Sequence, residues 1–549
     1  MNTVFRCKIK PYIQPFEKKL ALAELFSLTN SQPQPLPSLD LEVNEFEIVS
    51  SLEIKDLTDR LAYWELISSE KESGFTTQIL HEATVSITRN GITPEELRKF
   101  VPFGWNVPLP NRRCLRYGTH GIHEYRGKFF PQLVRALINI AGVPNGGIIA
   151  DPMSGSGTTL VEAVLGNYQG IGIDMNPLSV LMAQTKCSLM FINPEELICS
   201  YDNIIKKIKE ASVKQEQHNF DYFSSLPDLD QQYLKRWFAE SVILALDIIV
   251  KVICEESNVS IQNFFKVVLS NIIRSVSWQK EDDLRVRKEK KEESDINPVE
   301  MFLEELKRST KSVLAFLWQN QNLPLGKYFI TEGDARDITQ SLGNWFGKVD
   351  VIITSPPYAA ALPYLDTDRL SLCYLKLLSR PEHRKRDQEM IGNREITNKN
   401  RKIHWDLFLK NKSILPASVV EIIQKIERLN ADADVGFRRK NMSSLLAKYF
   451  LDMRLAFLGM QQMLKPNSMS YVVIGNNYTV AGGETVAGGE TVAGGEKVDI
   501  ETAFLLKDIA EMTGFASEEV ISMEMLVSRD IFKKNAGASE HILCLRRLP

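Results

Sequence analysis

Gly147-Ile148-Ile149-Ala150-Asp151-Pro152-Met153-Ser154-Gly155-Ser156-Gly157-Thr158-Thr159 is the stretch on which the fold turns. An apolar run, an acidic stop, a glycine loop and an apolar helix over Leu160 to Leu165 follow one another. That is strand, loop, helix, the unit from which parallel α/β sheets are built. The glycines let the backbone approach a ligand closely, and the helix start offers free N–H groups at the positive end of its dipole. A bare G-x-G is commonly only a tight turn. Here a second strand, Gly170-Ile171-Gly172-Ile173, ends in Asp174, about twenty residues after the loop, where an acid takes two ribose hydroxyls. The pair points to a nucleoside-bearing ligand.

Two such ligands fit, a dinucleotide or S-adenosylmethionine. Leu160 stands where the third glycine of G-x-G-x-x-G would be, and the loop begins with Asp-Pro. A carboxylate at 151 repels a pyrophosphate but attracts a sulfonium and an α-amino group. Both points favour S-adenosylmethionine.

A second decisive stretch is Thr354-Ser355-Pro356-Pro357-Tyr358, after the apolar run Val349-Asp350-Val351-Ile352-Ile353. The run reads as a buried parallel strand, and two prolines must end it because neither can donate to a ladder. The result is a stiff loop at the carboxyl end of a strand, where open α/β sheets hold their ligands. It presents a hydroxyl, proline carbonyls and an aromatic ring. That set suits a flat base with an exocyclic amine: the ring stacks, and Ser355 and a carbonyl take the amine.

The three motifs Asp151-Pro-Met-Ser-Gly-Ser-Gly-Thr-Thr159, Gly172-Ile-Asp174-Met-Asn-Pro177 and Thr354-Ser-Pro-Pro-Tyr358 together resemble the amino-methylating, site-specific DNA methyltransferases. The likeness covers roughly 116–190, 326–365 and 455–549. Met153 stands where that family usually has phenylalanine, and Lys128-Phe129-Phe130-Pro131 resembles its cofactor-closing motif. The resemblance implies a Rossmann-like, S-adenosylmethionine-dependent α/β sheet with large helical insertions. It assigns Ser355, Pro356, Pro357 and Tyr358 to catalysis. To the cofactor it assigns Lys128, Phe129, Asp151, Pro152, Met153, Gly155, Gly157, Thr158, Asp174, Met175, Asp334 and Ala335, with Asp334 at the adenine amine or else a plain turn residue. It implies double-stranded DNA as partner and leaves open a cognate restriction endonuclease. Within the family Ser-Pro-Pro-Tyr is common among cytosine N4 enzymes and Asp-Pro-Pro-Tyr among adenine N6 enzymes, so Ser355 favours cytosine N4. Adenine N6, guanosine N2 of RNA, and a silent fold that only binds nucleic acid are the alternatives.

The rest of the chain bounds this reading. Its 549 residues allow two to four domains, or one catalytic domain with insertions. A net charge of -3 makes any nucleic-acid surface a local patch. The seven cysteines are far apart, with no C-x-x-C pair, and His120 and His123 lack a completing cluster, so no metal is expected. None of the cysteines follows a proline, so the nucleophile of cytosine C5 chemistry is missing. No signal peptide or membrane span is expected, which points to the cytosol.

Six segments are expected. Residues 1–115 form an accessory region with a helix over Pro11 to Leu28 and a strand at Phe46 to Val49. Residues 116–190 hold the first, cofactor-binding half of the catalytic domain. A helical insertion spans 191–325, with helices at Pro194–Ala211, Asp230–Glu255, Asn258–Ser277 and Pro298–Gln319. It includes the alternating charges of Lys280 to Glu293, read as a solvated face. The catalytic core resumes at 326–365. A basic insertion at 366–452 follows, a target-recognition candidate in which Arg380 to Lys412 carries ten Lys/Arg against five Asp/Glu. The domain ends over 453–549, with a final hairpin. There Thr-Val-Ala-Gly-Gly-Glu occurs three times in tandem at 479–496, read as an expanded loop whose copy number varies by slippage.

Overall fold

Seven strands form the central sheet: β1 (Ile148–Asp151), β2 (Gln169–Asp174), β3 (Tyr328–Glu332), β4 (Val349–Thr354), β5 (Leu464–Gly475), β6 (Phe515–Glu524) and β7 (Ser539–Arg547). The structure, a computed structural model, describes residues 2–549 apart from 38–43, 90, 102–108, 126, 128–129, 214–218, 281–286, 290–295, 360–363, 395, 432, 434, 486–491, 494 and 525–538. The strand order is β3-β2-β1-β4-β5-β7-β6. Neighbours from β3 to β5 pair in parallel, and β7 runs antiparallel to both β5 and β6. This is a Rossmann-like α/β sheet with one reversed strand.

The central strand shows why the sheet needs cover on both faces. In β4, Val351 and Ile353 point into one core and Val349 and Ile352 into another, all fully buried. A strand buried on both sides reads as a continuous apolar run. Its one charge, Asp350, sits near the strand's amino end and clamps its neighbours: it accepts the Ile148 N–H at 2.8 Å and the Lys465 ammonium at 2.6 Å.

One face is covered by residues from the chain's start. Five antiparallel strands, Gln34–Pro35, Glu45–Ser50, Thr3–Ile9, Trp64–Ser68 and Ser73–Phe75 in that spatial order, make a separate small sheet. The helix Pro15–Thr29 lies against the helix Pro131–Ile140. Phe5, Ile9, Leu20, Leu25 and Trp64 share one core with Leu133, Leu137, Ile353 and Val473. This small sheet therefore has no core of its own separate from the catalytic sheet. The other face is covered by the helices Met442–Met463 and Thr502–Glu511 through Phe450, Phe457, Leu505 and Leu506.

The chain between β2 and β3 is mostly helical among its described residues, with one of the expected helices divided. The helix expected over Asp230–Glu255 is two, Asp228–Leu234 and Glu240–Cys254, because Phe238 is buried and Ala239 is extended at the second helix's start. The charge block at 280–293 lies mostly outside the described residues. Past β4, the chain forms two short helices, Tyr364–Thr367 and Arg369–Tyr374, and Lys376 has a left-handed φ of 57°. The tandem repeats begin and end in a hairpin stem, where Asn477–Ala481 pairs antiparallel with Glu496–Ile500. That stem leans on the helix Ala417–Ala431: Lys425 pairs with Glu496 at 2.6 Å, and the Gly482 N–H donates to Asn430 Oδ1 at 2.9 Å. Among the described residues, no helix is long and apolar enough to cross a membrane.

Candidate active site

The carboxyl ends of β1, β2, β3 and β4 open on one side of the sheet, and loops from them line a single cavity. Behind its floor stands Asp151, the last residue of β1. Asp151 is fully buried; its Oδ1 accepts the Met153 N–H at 3.1 Å and the Thr354 hydroxyl at 2.7 Å. One carboxylate thus ties the glycine loop to the residue just before Ser355. Burial pushes its pKa up to about 7, against the pull of those donors.

The loop that follows requires glycine at two positions. Gly155 and Gly157 have φ of +48° and +81°, in the left-handed region that side chains disfavour. A Cβ at 157 would lie 2.6 Å from the Ala183 methyl, and one at 155 would lie 3.0 Å from the Tyr125 ring. The Gly155 N–H donates to Asp174 Oδ2 at 2.8 Å, and Asp174 Oδ1 accepts from the Asn176 N–H at 2.8 Å. Loop and acid are therefore one hydrogen-bonded unit. Burial raises Asp174 to about 6, with the backbone N–H donors of Asn176, Gly155 and Met175 opposing. Beneath the loop, the fully buried Lys186 ammonium donates to the Ser156 carbonyl at 2.8 Å, and burial lowers it to about 7.

The helix Thr158–Leu165 is anchored from below by a buried polar cluster. Glu162 accepts from Arg135 Nε at 2.9 Å and the Tyr117 hydroxyl at 3.0 Å, and lies 2.8 Å from His120 Nε2. Burial would raise Glu162, but Arg135 and His120 outweigh it and hold the carboxyl at about 2. Tyr117 also takes a hydrogen bond from Gln78, which bonds Glu82, and Glu82 pairs with the buried Lys10 at 2.6 Å. Through these contacts the chain's first strand is connected to the helix behind the glycine loop.

The second loop is held by contacts distant in sequence. Gly392, with φ +73°, lies behind it: a Cβ there would be 2.9 Å from Pro357 Cβ and 3.0 Å from the Tyr358 carbonyl. Gly475, at the end of β5, lies under the Tyr358 ring, and a Cβ there would be 2.8 Å from Cε2. Asn477 Nδ2 donates to the Ala359 carbonyl at 2.5 Å. The Tyr358 hydroxyl donates to Glu540.

The cavity encloses about 830 Å³ of empty space, part of it open to solvent. Pro152, Met153, Gly155, Thr158, Asp174, Met175, Ala335, Ser355, Pro356, Pro357 and Tyr358 all lie on its wall. The other residues assigned to the site from sequence stand elsewhere. Asp151 is not on the wall: its Oδ1 accepts from Thr354 and from the Met153 N–H, between the two loops. Gly157 packs against Ala183 underneath. Asp334 does not line the cavity: it is engaged by Arg336 at 2.6 Å, which also bonds Asp452 at 3.2 Å. Lys128 and Phe129 lie outside the described residues.

Other wall residues had no assigned role. Tyr125 lies over Gly155, with its hydroxyl 3.3 Å from Ser179 Oγ. It stands in the loop Tyr117–Tyr125, whose position ahead of the helix was its only signal. Met390 and Ile391 come from the basic insertion and carry no motif. Lys448 holds their backbone, donating to the Met390 carbonyl at 2.9 Å and to Asp452 at 2.6 Å. Arg386, in the helix Arg380–Glu389, bonds the Met175 carbonyl at 3.1 Å and Glu332 at 2.7 Å. Part of the basic segment is thus a structural element of the cavity, whereas Lys399, Lys402, Lys410 and Lys412 are exposed.

The wall fits S-adenosylmethionine. Ser154 Oγ is buried on it without a hydrogen-bond partner, and left-handed glycines leave the backbone bare. Asp174 offers a carboxylate for ribose hydroxyls, and Met153, Met175, Ala335 and the Tyr125 ring offer apolar surface to a nucleoside.

A family model described as "RMKL-like, methyltransferase domain" matches residues 123–248. The chain is 25% identical over 370 residues to the Type II methyltransferase M.MvaI of Kocuria varians, covering 65% of this chain and 77% of that protein. It is 23% identical over 435 residues to the Type II methyltransferase M.BsoBI of Geobacillus stearothermophilus, covering 70% and 80%. Among solved structures, it is similar to the rRNA methyltransferase aviRa of Streptomyces viridochromogenes at 10% identity and a TM-score of 0.27, covering 77% of this chain and 88% of that one; a likeness at that score carries no argument. The family model and the relatives support a site-specific DNA methyltransferase family, and a methyltransferase domain on this fold implies S-adenosylmethionine as methyl donor.

Proposed function

We propose that this protein methylates an exocyclic amine of a DNA base at a specific sequence, with the N4 amine of cytosine as the favoured acceptor. The observation that carries the reading is the shared cavity: the glycine loop, Asp174 and Ser355 to Tyr358 face one another across it. Bound S-adenosylmethionine supplies an electrophilic methyl group. Everything else is positioning by this chain.

Asp174 and the bare loop hold the nucleoside end of the donor. The target base nitrogen lies inside a duplex, so the base must turn out to reach the cavity. The Tyr358 ring then stacks on it. Ser355 and a proline carbonyl accept the amine hydrogens, which turns the nitrogen lone pair out of the base plane and toward the donor side. No cysteine nucleophile is needed, because an amine is itself nucleophilic once so oriented. Exposed Lys399, Lys402, Lys410 and Lys412 neutralise backbone phosphates. Such an enzyme pairs with a restriction endonuclease of the same recognition sequence when it works as a modification enzyme, which the Type II relatives make the partner to look for.

The test is to incubate the protein with unmethylated DNA and labelled S-adenosylmethionine, digest to nucleosides and separate them by mass. N4-methyldeoxycytidine, absent with Ser355→Ala or Tyr358→Ala, is the expected result. N6-methyldeoxyadenosine keeps the enzyme class and overturns the base. Label in RNA alone overturns DNA as substrate, and cofactor binding with no label anywhere overturns the enzyme.

A further inference from the structure

Tyr358 reaches a partner that no motif announces. Its hydroxyl donates to a carboxylate oxygen of Glu540, 182 residues downstream on β7. Glu540 sits directly across the antiparallel ladder from Gly475. Gly475 is also the residue beneath the ring, where a Cβ would stand 2.8 Å from Cε2. One cross-strand pair therefore supplies both the flat support for the ring and the acceptor for its far end. Gly392 and Asn477 fix the backbone on either side.

We propose that Glu540 is a positioning residue for methyl transfer, holding the Tyr358 ring against Gly475 so that its open face is ready for the extruded base. This rests on the reading of the cavity as an amine-methylating site. A tyrosine on a loop has three staggered χ1 wells, and a tether at the phenol oxygen selects one. The loop carries no carboxylate of its own, since serine occupies 355. Glu540 brings one from the amino end of β7, and a hydrogen bond to an ionised acceptor is stronger than a neutral one. A hydroxyl polarised in this way also enriches the ring face, which faces the positive charge that builds on the amine.

The experiment is steady-state transfer to DNA by the full chain, comparing wild type with Glu540→Ala, Glu540→Gln, Tyr358→Phe and the Glu540→Ala/Tyr358→Phe pair. Loss of the tether dilutes the productive ring pose about threefold and removes one charge-assisted hydrogen bond, so Glu540→Ala and Tyr358→Phe each lower kcat about five- to tenfold. KM for S-adenosylmethionine stays within about twofold, because the ring belongs to the base side. Glu540→Gln, whose amide oxygen still accepts, recovers most of the rate. The double variant is no slower than either single, since both cut the same bond. Wild-type kcat in the singles, additive losses in the pair, or a loss confined to cofactor KM would each overturn the proposal. Should Glu540→Ala fail to fold, Glu540→Gln and Tyr358→Phe complete the same cycle. A wild type that transfers nothing to DNA overturns the underlying reading and the proposal together. Failure of the Glu540 role alone is recognised by an active wild type.

Discussion

The two walls of the cavity are built in opposite ways. The donor wall comes mainly from one run of chain, residues 151 to 176, with Tyr125 and Ala335 beside it; that run is closed on itself by Asp151, Gly155 and Asp174 and fixed from below by Lys186 and Glu162. The acceptor wall is put together from four distant pieces: Ser355 to Tyr358, Met390 to Gly392, Gly475 to Asn477 and Glu540. A wall made mainly of one segment forms largely with its own strands and helix. A wall made of four forms only once the whole sheet is in place. Damage to the first should therefore fall on donor binding, and damage to the second on turnover.

The strongest test of that division is Gly157→Ala. A left-handed φ and a 2.6 Å approach to Ala183 leave the new methyl nowhere to go, at a cost of about 3 kcal/mol or more, so S-adenosylmethionine affinity by calorimetry should fall at least about 100-fold. Gly392→Ala is its counterpart across the cavity. The added methyl presses on Pro357 and the Tyr358 carbonyl, and kcat should fall about 10- to 30-fold while donor affinity changes less than about twofold. If donor affinity fell equally in both, the two walls would be one mechanical unit and the division would be broken.

Asp174→Asn sharpens the donor side. Losing a charged acceptor for ribose hydroxyls should weaken donor binding about tenfold at about pH 8. Burial raises Asp174 to about 6, so the wild-type carboxylate is ionised above that pH and gains a proton below it. Wild-type affinity should then decline as pH falls through about 6, while the Asp174→Asn variant stays flat. A parallel decline in both would assign the titration elsewhere. The smallest effect belongs to the outer rim. Lys402→Ala with Lys410→Ala should weaken DNA binding about two- to fourfold and flatten its salt dependence by roughly 0.9 for each phosphate no longer neutralised. An unchanged salt slope would remove these lysines from the DNA surface.

This division also explains what could be read in advance. The donor wall was legible because its chemistry is contiguous: an acid after a strand, glycines before a helix, a second acid after the next strand. Ser355 to Tyr358 was legible because two prolines end a buried strand. Gly392, Glu540 and Met390 were not, since nothing beside them in sequence differs from ordinary loop or strand, and their meaning comes only from what the sheet brings near. Asp151 is a case between the two. Its position was clear, but spacing does not show that its Oδ1 binds Thr354 and the Met153 N–H between the two loops. The small N-terminal sheet was mostly hidden for another reason: strands of two or three residues, such as Gln34–Pro35 and Ser73–Phe75, are too short to show a period.

The hairpin stem that frames the hexapeptide repeats carries a consequence of arithmetic. Ala481 and Glu496 face each other at the top of a paired stem, and everything repeated beyond the first three residues lies between them. Six is an even number, and side chains on a strand alternate with a period of two. A whole copy added or removed there leaves Thr479 opposite Val498 and Lys425 beside Glu496, with no side chain of the stem turned to the wrong face. Populations carrying two, three or four copies would thus inherit the same catalytic sheet, with one heritable difference in the number of residues between Ala481 and Glu496.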